Sequence, residues 1–441
     1  MDHPSPLEYL RRGLLATVWV GSVSLQFATH PLLEKGLAAA LVLYITISLT
    51  NTRGSNRVIA LAISIATGLL LWNGAPFSGV IDSFQPTMIF AALLPTLLLV
   101  RGTARRMAAV QLTQERLADL PDRLADIGTL FGAHVFGAVL NTGAFAIMSS
   151  VISKEADEPR RLAAAAAANR GMNSAILWSP FFIGFAVAAT YIPSVQLWQV
   201  LALGSVMVAM SFGLGLFMFH RPFGLAEIKQ ALACLAPIAP AMAVVATLVI
   251  SFGALSGLST MGSVLIVMPV LCGLWMSRNP GAARATVFET WRGIGSMGDE
   301  MLLITSAFIL GTVAEQAPVI TQTVAPLLGE NLPGAAAIAI LPGSMVILAV
   351  LGVHPIITGI VLLGALTSLP IEVSDVALFH AMLVGWSLGT VISISSLSVV
   401  ISAMMYGVAP AQLAYGRNLR FVLIYAVLAI VILSGMDWIL R

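Results

Sequence analysis

Charge is what this sequence has least of. Only 10% of its 441 residues are Asp, Glu, Lys or Arg, where soluble globular chains carry about 25%. The stretches Ser174 to Phe219 and Ala231 to Ser277 contain none. The apolar share is 58% and the mean hydropathy +0.95. A soluble core can bury one uncharged run of about 20 residues, the length that crosses the hydrocarbon of a bilayer, but not a series of them. The bilayer is the solvent. Cysteine is almost as scarce: Cys234 and Cys272 each sit inside an apolar run, which argues against a disulfide framework or a cysteine metal site and leaves inert buried thiols. The net charge of +2 gives no reason to expect nucleic acid or an acidic partner. No small-residue cleavage site follows the first arginines within signal-peptide distance, so the run from Leu14 is expected to be a retained span.

What is present is a series of apolar runs separated by charges and turn residues. They place span 1 at roughly 12–29, span 2 at 33–50, span 3 at 57–73 and span 4 at 78–100, each near membrane-crossing length. Arg101 to Asp126 alternates charge with Met107, Val110, Leu112, Leu117, Leu120 and Leu124, the pattern of an amphipathic helix lying along the interface. Spans 5 (163–192), 6 (196–219), 7 (230–251), 8 (260–277), 9 (300–315), 10 (376–408) and 11 (419–438) follow. Two further runs, Ile127 to Ile152 and Pro333 to Pro370, are long enough to cross but carry Asn141-Thr142-Gly143 and His354-Pro355 with Thr358-Gly359 near their centres.

Positive charge decides how those two runs are read, because Lys and Arg gather on cytoplasmic loops. Arg11 and Arg12 put the N-terminus inside, and Arg53, Arg57 and the five arginines from Arg101 to Arg123 follow even-numbered spans. Lys154, Arg160 and Arg161 stay inside only if the first run dips in and returns. No Lys or Arg occurs between Arg292 and Arg417, where Glu315, Glu330, Glu372 and Asp375 fall. That segment reads as outside, which requires the second run to be re-entrant too. The expectation is an all-α polytopic membrane protein of 11 transmembrane helices plus two re-entrant hairpins, N-terminus cytoplasmic and C-terminus outside, in a bacterial-type inner membrane. The two halves repeat one order of elements with opposite topology, an architecture of secondary transporters that places the site near the midplane. Thr142-Gly143 and Thr358-Gly359 lie 216 positions apart, as do Ser179 and Ser395; such matches are no more than chance supplies in apolar sequence, and the order of elements carries the repeat.

Non-helical backbone at membrane depth is tolerated only inside protein or along a cavity, and four places ask for it. They are the first tip (Asn141, Thr142, Gly143), span 5 (Asn173-Ser174, then Ser179-Pro180), the second tip (His354, Thr358, Gly359), and span 10 with Thr390, Ser393, Ser395 and Ser396. These are the candidate substrate-binding residues. Broken helices present N-termini to anions and bare carbonyls to sodium. The competing reading is packing: Ser, Thr and Gly are common at helix contacts in membranes, and it is favoured for any single serine of span 10. A buried asparagine must find partners, which favours a site at Asn141 and Asn173. Arg170 either contacts an anion or snorkels to the interface. His134 and His354 read as satisfied core histidines rather than metal ligands, since no second His or carboxylate stands at ligand spacing. Spans 5 and 10 and both hairpins lack Asp and Glu at their centres, which favours an anionic substrate with sodium held by neutral oxygens over proton exchange on a carboxylate.

In layout the chain resembles the divalent anion/sodium symporter family of the ion transporter superfamily. That family carries Ser-Asn-Thr at each hairpin tip; here the first tip reads Leu140-Asn141-Thr142 and the second Ile356-Ile357-Thr358. The resemblance implies that Asn141 and Thr142 contact substrate and a sodium ion, with Thr358 facing them, and that Asn141 and Thr358 are the sodium ligands. It implies no cofactor beyond sodium, and a homodimer working as an elevator-type transporter. The chain then divides into scaffold spans 1–4 with the interfacial arm (1–126), first hairpin and broken span 5 (127–192), scaffold spans 6–9 (193–332), second hairpin and broken span 10 (333–410) and scaffold span 11 (411–441). Transport of a small anion, an organic acid or oxyanion, is the leading expectation. A cation/proton antiporter on the same scaffold is the alternative, and a membrane enzyme is disfavoured because no His/Asp cluster or Ser-base pair is visible.

Overall fold

A computed structural model describes residues 5–27, 30–121, 124–153, 155–219, 224–320, 322–323, 326 and 332–441; among them there is helix and turn and no strand. The first helices are α1 (Pro6–Ser24), α2 (Pro31–Ser48), α3 (Gly54–Trp72), the short α4 (Ser78–Asp82), α5 (Phe84–Ala104) and α6 (Ala108–Ala118). Next come α7 (Ala125–Leu140), α8 (Gly143–Ser149), α9 (Glu158–Ser174), a 3-10 turn (Ala175–Leu177), α10 (Ile183–Tyr191) and α11 (Leu197–Phe219). Then follow α12 (Leu225–Ala233), α13 (Ala239–Ser256), α14 (Thr260–Arg278), α15 (Pro280–Ile294) and α16 (Gly298–Gln316). The chain closes with α17 (Gly334–Val350), α18 (Pro355–Thr367), α19 (Asp375–Ile392), α20 (Leu397–Tyr406), α21 (Pro410–Tyr415) and α22 (Arg417–Leu440).

Local sequence explains the boundaries. Ser5, Asp157, Ser259, Ser374 and Ser396 each accept a first-turn N–H and start α1, α9, α14, α19 and α20, as N-cap residues do. Pro180, which has no N–H to give, lies in the gap between the 3-10 turn and α10. Seven helical segments of the described chain are long and apolar enough to cross a membrane, or up to eight if α15 and α16, bent by 53°, form one span. α13 is the plainest of them: Val249 is its one buried residue, and its uncharged exposed surface suits lipid rather than water.

Most of the spans drawn from sequence coincide with these elements, but the run 230–251 takes in the end of α12 and only part of α13 (Ala239–Ser256). Span 5 is α9, the 3-10 turn and α10; span 10 is α19 and α20; the two peculiar runs are α7–α8 and α17–α18. The sequence reading left 280–294 as loop, and that segment is α15. Arg284, Glu289 and Arg292 hide it from a hydropathy scan, but Thr286, Thr290 and Ile294 are buried at helical spacing. The helices α4, α12 and α21 were also unforeseen.

The chain forms two compact units: Met1–Thr103 with Ser251–Leu332 and Ile360–Ile371, and Ala104–Ile250 with Pro333–Gly359 and Glu372–Arg441. In the first, α1 packs on α2 and α16 on α3. Arg12 pairs with Glu8, and Arg53 lies 3.7 Å from Asp299.

The second unit holds the interrupted helices. α7 packs along α9 and α17 along α19, while the outer pieces cross over, α20 against α9 and α10 against α19. Glycines allow the close approach. A Cβ on Gly171 would stand 2.1 Å from the Leu130 carbonyl oxygen, and one on Gly385 would stand 2.9 Å from Pro342 Cα, the small-residue packing of membrane helices. Asp126 pairs with Arg160 at the α7–α9 end. At the other end Asp437, 1% exposed, accepts the Ser374 N–H at 2.6 Å and pairs with Arg441.

Candidate functional site

The two halves of the second unit meet on a buried set of neutral amides and hydroxyls. Asn173, in the last turn of α9 and fully buried, is its centre. Its Oδ1 accepts from Thr390 Oγ1 at 2.8 Å and from Ser398 Oγ at 3.1 Å. Its Nδ2 donates to the Asn169 carbonyl at 2.8 Å and to Asn169 Oδ1. Its own carbonyl accepts from Ser387 Oγ at 2.8 Å. Asn169 Nδ2 donates onward to the Val391 carbonyl at 3.2 Å, and Ser396 Oγ to the Thr390 carbonyl at 2.7 Å. Every donor and acceptor of the Asn173 amide is engaged, as a buried amide requires.

Each helix interruption is also tied to the apolar run packed beside it. Ser179 Oγ donates to the Ala138 carbonyl near the end of α7 at 2.7 Å. Ser395 Oγ donates to the Gly352 carbonyl just past α17 at 3.2 Å, and lies 2.8 Å from Ser393 Oγ. The two serines that stand 216 positions apart thus make equivalent bonds, which their identity alone could not establish.

His134 is 8% exposed. The Trp178 indole donates to its Nε2 at 3.1 Å, and an indole can only donate. Nδ1 therefore carries the proton and gives it to Ser174 Oγ at 2.9 Å, while Ser174 donates to the Gly171 carbonyl at 2.7 Å. This is a neutral, satisfied histidine. His380, which the sequence reading passed over, is fully buried, with Nδ1 2.9 Å from the Val376 carbonyl and Nε2 3.4 Å from that of Val200.

The tips differ. Asn141 holds φ +54° and ψ −132°, a region that favours glycine, and its Oδ1 accepts the Thr142 N–H at 2.7 Å. Asn141 and Thr142 are half-buried and Gly143 is exposed. At the second tip Gly352 takes φ +87°, and the half-buried His354 accepts the Ile356 N–H through Nδ1 at 3.2 Å. Thr358, in the first turn of α18, is 4% exposed and its hydroxyl has no hydrogen-bond partner. Gly359 serves packing: a Cβ there would fall 2.4 Å from the Met382 methyl.

Of the residues singled out from sequence, Asn173, Thr390 and Ser396 share the central network, and Ser174, Ser179, Ser393 and Ser395 flank it. Asn141 is committed to its own turn. Asn169, Ser387 and Ser398 complete the network. Asn169 could have been found as the residue one helical turn before Asn173. No group of three or more His, Cys, Asp or Glu able to hold a metal occurs among the described residues. No protein-family model and no curated protein matches this chain in sequence.

Proposed function

We propose that this chain is a secondary transporter that carries a small anion, an organic acid or oxyanion, across the membrane, coupled to sodium. The observation that carries the reading is Thr358. A buried hydroxyl with no partner costs about 1–3 kcal/mol, and this one sits in the first turn of α18, where free N–H groups favour negative charge. Around Asn173, by contrast, the buried hydroxyls are bonded. A ligand oxygen is the partner Thr358 lacks.

The crossed packing of two interrupted helices supports an inverted repeat of eleven spans and two re-entrant hairpins, with the N-terminus in the cytoplasm and the C-terminus outside. Elevator movement, sodium at Asn141 and Thr358, a homodimer and a bacterial inner membrane follow from the family resemblance and belong to the same proposal. Flux of labelled organic acids and oxyanions into proteoliposomes, with and without a sodium gradient, tests it. Absence of flux for every anion, from protein shown to be folded, rejects it.

The rival is a cation/proton antiporter. It is favoured by Glu300 of α16, whose buried Oε2 has no hydrogen-bond partner, since proton exchange wants an intramembrane carboxylate. It predicts pH change driven by sodium or lithium and abolished in Glu300→Gln.

A further inference from the structure

Arg170 of α9 is a buried guanidinium with no carboxylate beside it. It is 3% exposed and belongs to none of the ion pairs among the described residues. Its Nη1 donates to Asn418 Oδ1 on α22 at 2.7 Å, and Asn418 is held in turn by donating to the Leu413 carbonyl at 3.0 Å. The guanidinium carbon stands 4.3 Å from the centre of the Phe219 ring and 5.7 Å from that of Phe421. Ring faces offset only part of what removing an ion from water costs.

Arg170 Nε is buried and has no partner. Across from it α11 carries Gly215, where a Cβ would meet nothing nearer than Arg170 Nε and Phe421 Cε2, both at 3.9 Å. A side chain at position 215 would therefore touch the unused N–H at ordinary van der Waals distance. The first turn of the 24-residue α22, with Arg417 and Asn418 in it, adds the positive end of a helix dipole.

We infer that the Arg170 guanidinium, where α9, α11 and α22 meet, binds an anionic group, a carboxylate or phosphate. Guanidinium matches such groups with paired N–H donors. The group comes from a soluble anion or from the headgroup of an anionic lipid, for which basic pockets between membrane helices are known sites. The site shares no residue with the Asn173 network or the hairpin tips. It does not depend on the transport reading, and its test reads binding rather than flux.

The full chain is reconstituted in phosphatidylcholine nanodiscs and its Tm followed as inorganic phosphate is titrated at constant ionic strength. A second arm replaces phosphate with phosphatidylglycerol in the disc. The site predicts a saturable rise in Tm of a few degrees in at least one arm, since a ligand of the folded state stabilises it. Response to phosphate assigns the anion to solution, and response to phosphatidylglycerol alone assigns it to lipid. Arg170→Gln loses the response. Should that variant fail to fold, Gly215→Ser decides: its hydroxyl comes within reach of Nε and gives it a partner, so apparent affinity falls at least tenfold. A wild-type Tm indifferent to both anions, or a Gly215→Ser protein that responds like wild type, overturns the inference.

Discussion

The amide oxygen of Asn173 on α9 accepts a hydrogen bond from the hydroxyl of Thr390 on α19 at 2.8 Å, joining the two interrupted helices at their last turns. An interhelical hydrogen bond in a membrane contributes about 0.6 kcal/mol on average and up to about 1.7. Thr390→Val removes one such bond and is expected to cost about 1 kcal/mol. Asn173→Ala strands Ser398 Oγ and Asn169 Oδ1, while Thr390 can still donate to the Trp386 or Ser387 carbonyl at 2.9 Å, and it costs more. Thermal unfolding in detergent of both variants and the double mutant measures the coupling, expected at about 0.5–3 kcal/mol as for other contacting pairs.

Thr358→Val separates ligand binding from folding. Valine keeps the shape and removes a hydroxyl that has no partner in the protein, so Tm is expected to hold or rise slightly. Substrate affinity falls at least tenfold, seen as a raised KM in flux assays, and Thr358→Ser retains it. A Tm loss as large as that of Asn173→Ala would mean the hydroxyl is structural.

Asn141→Gly relieves a left-handed backbone that costs a non-glycine residue about 1–3 kcal/mol. It also removes the Oδ1 that accepts the Thr142 N–H. The glycine variant is expected to equal or exceed wild type in Tm, and Asn141→Ala, which keeps the strain and loses the bond, to fall below both. Flux should drop in each if the first tip touches the anion.

Gly171→Ala tests the close approach of α9 to α7. The added methyl would meet the Leu130 carbonyl at 2.1 Å, backbone against backbone, where no side chain can give way. Overpacking costs about 1–3 kcal/mol in ordinary cores, and this contact is tighter. Size-exclusion chromatography of the expressed protein should show loss of the folded peak. Gly213→Ala on α11, where a Cβ meets nothing within 4 Å, should leave it intact.

The membrane character and the interruptions were legible because both are local: uncharged runs report solvent, and Asn141, Pro180 and the serines after Ile392 break helical continuity within a few residues. Most of the long apolar segments fall within a few residues of their helices for the same reason, while the run 230–251 begins nine residues before α13. What sequence could not supply was which polar groups meet. Asn173 and Thr390 are far apart in the chain, and nothing local distinguishes Ser387, which bonds the Asn173 carbonyl, from a packing serine. α15 was lost because its charged face outweighed its buried one. Arg170 was placed between anion contact and snorkelling; the aromatic faces and Asn418 that hold it come from distant helices. Asp437 lies inside the last apolar run, while its partners Ser374 and Arg441 give it a structural role at the ends of α19 and α22.

Uptake into proteoliposomes, compared between wild type and Thr358→Val, bears most directly on the central claim. The account predicts that at least one labelled organic acid or oxyanion enters wild-type vesicles faster under an inward sodium gradient than without one, and that Thr358→Val raises KM at least tenfold while its Tm is kept. Vesicles of folded wild-type protein that take up no anion, or a Thr358→Val protein that transports with unchanged KM, would contradict it.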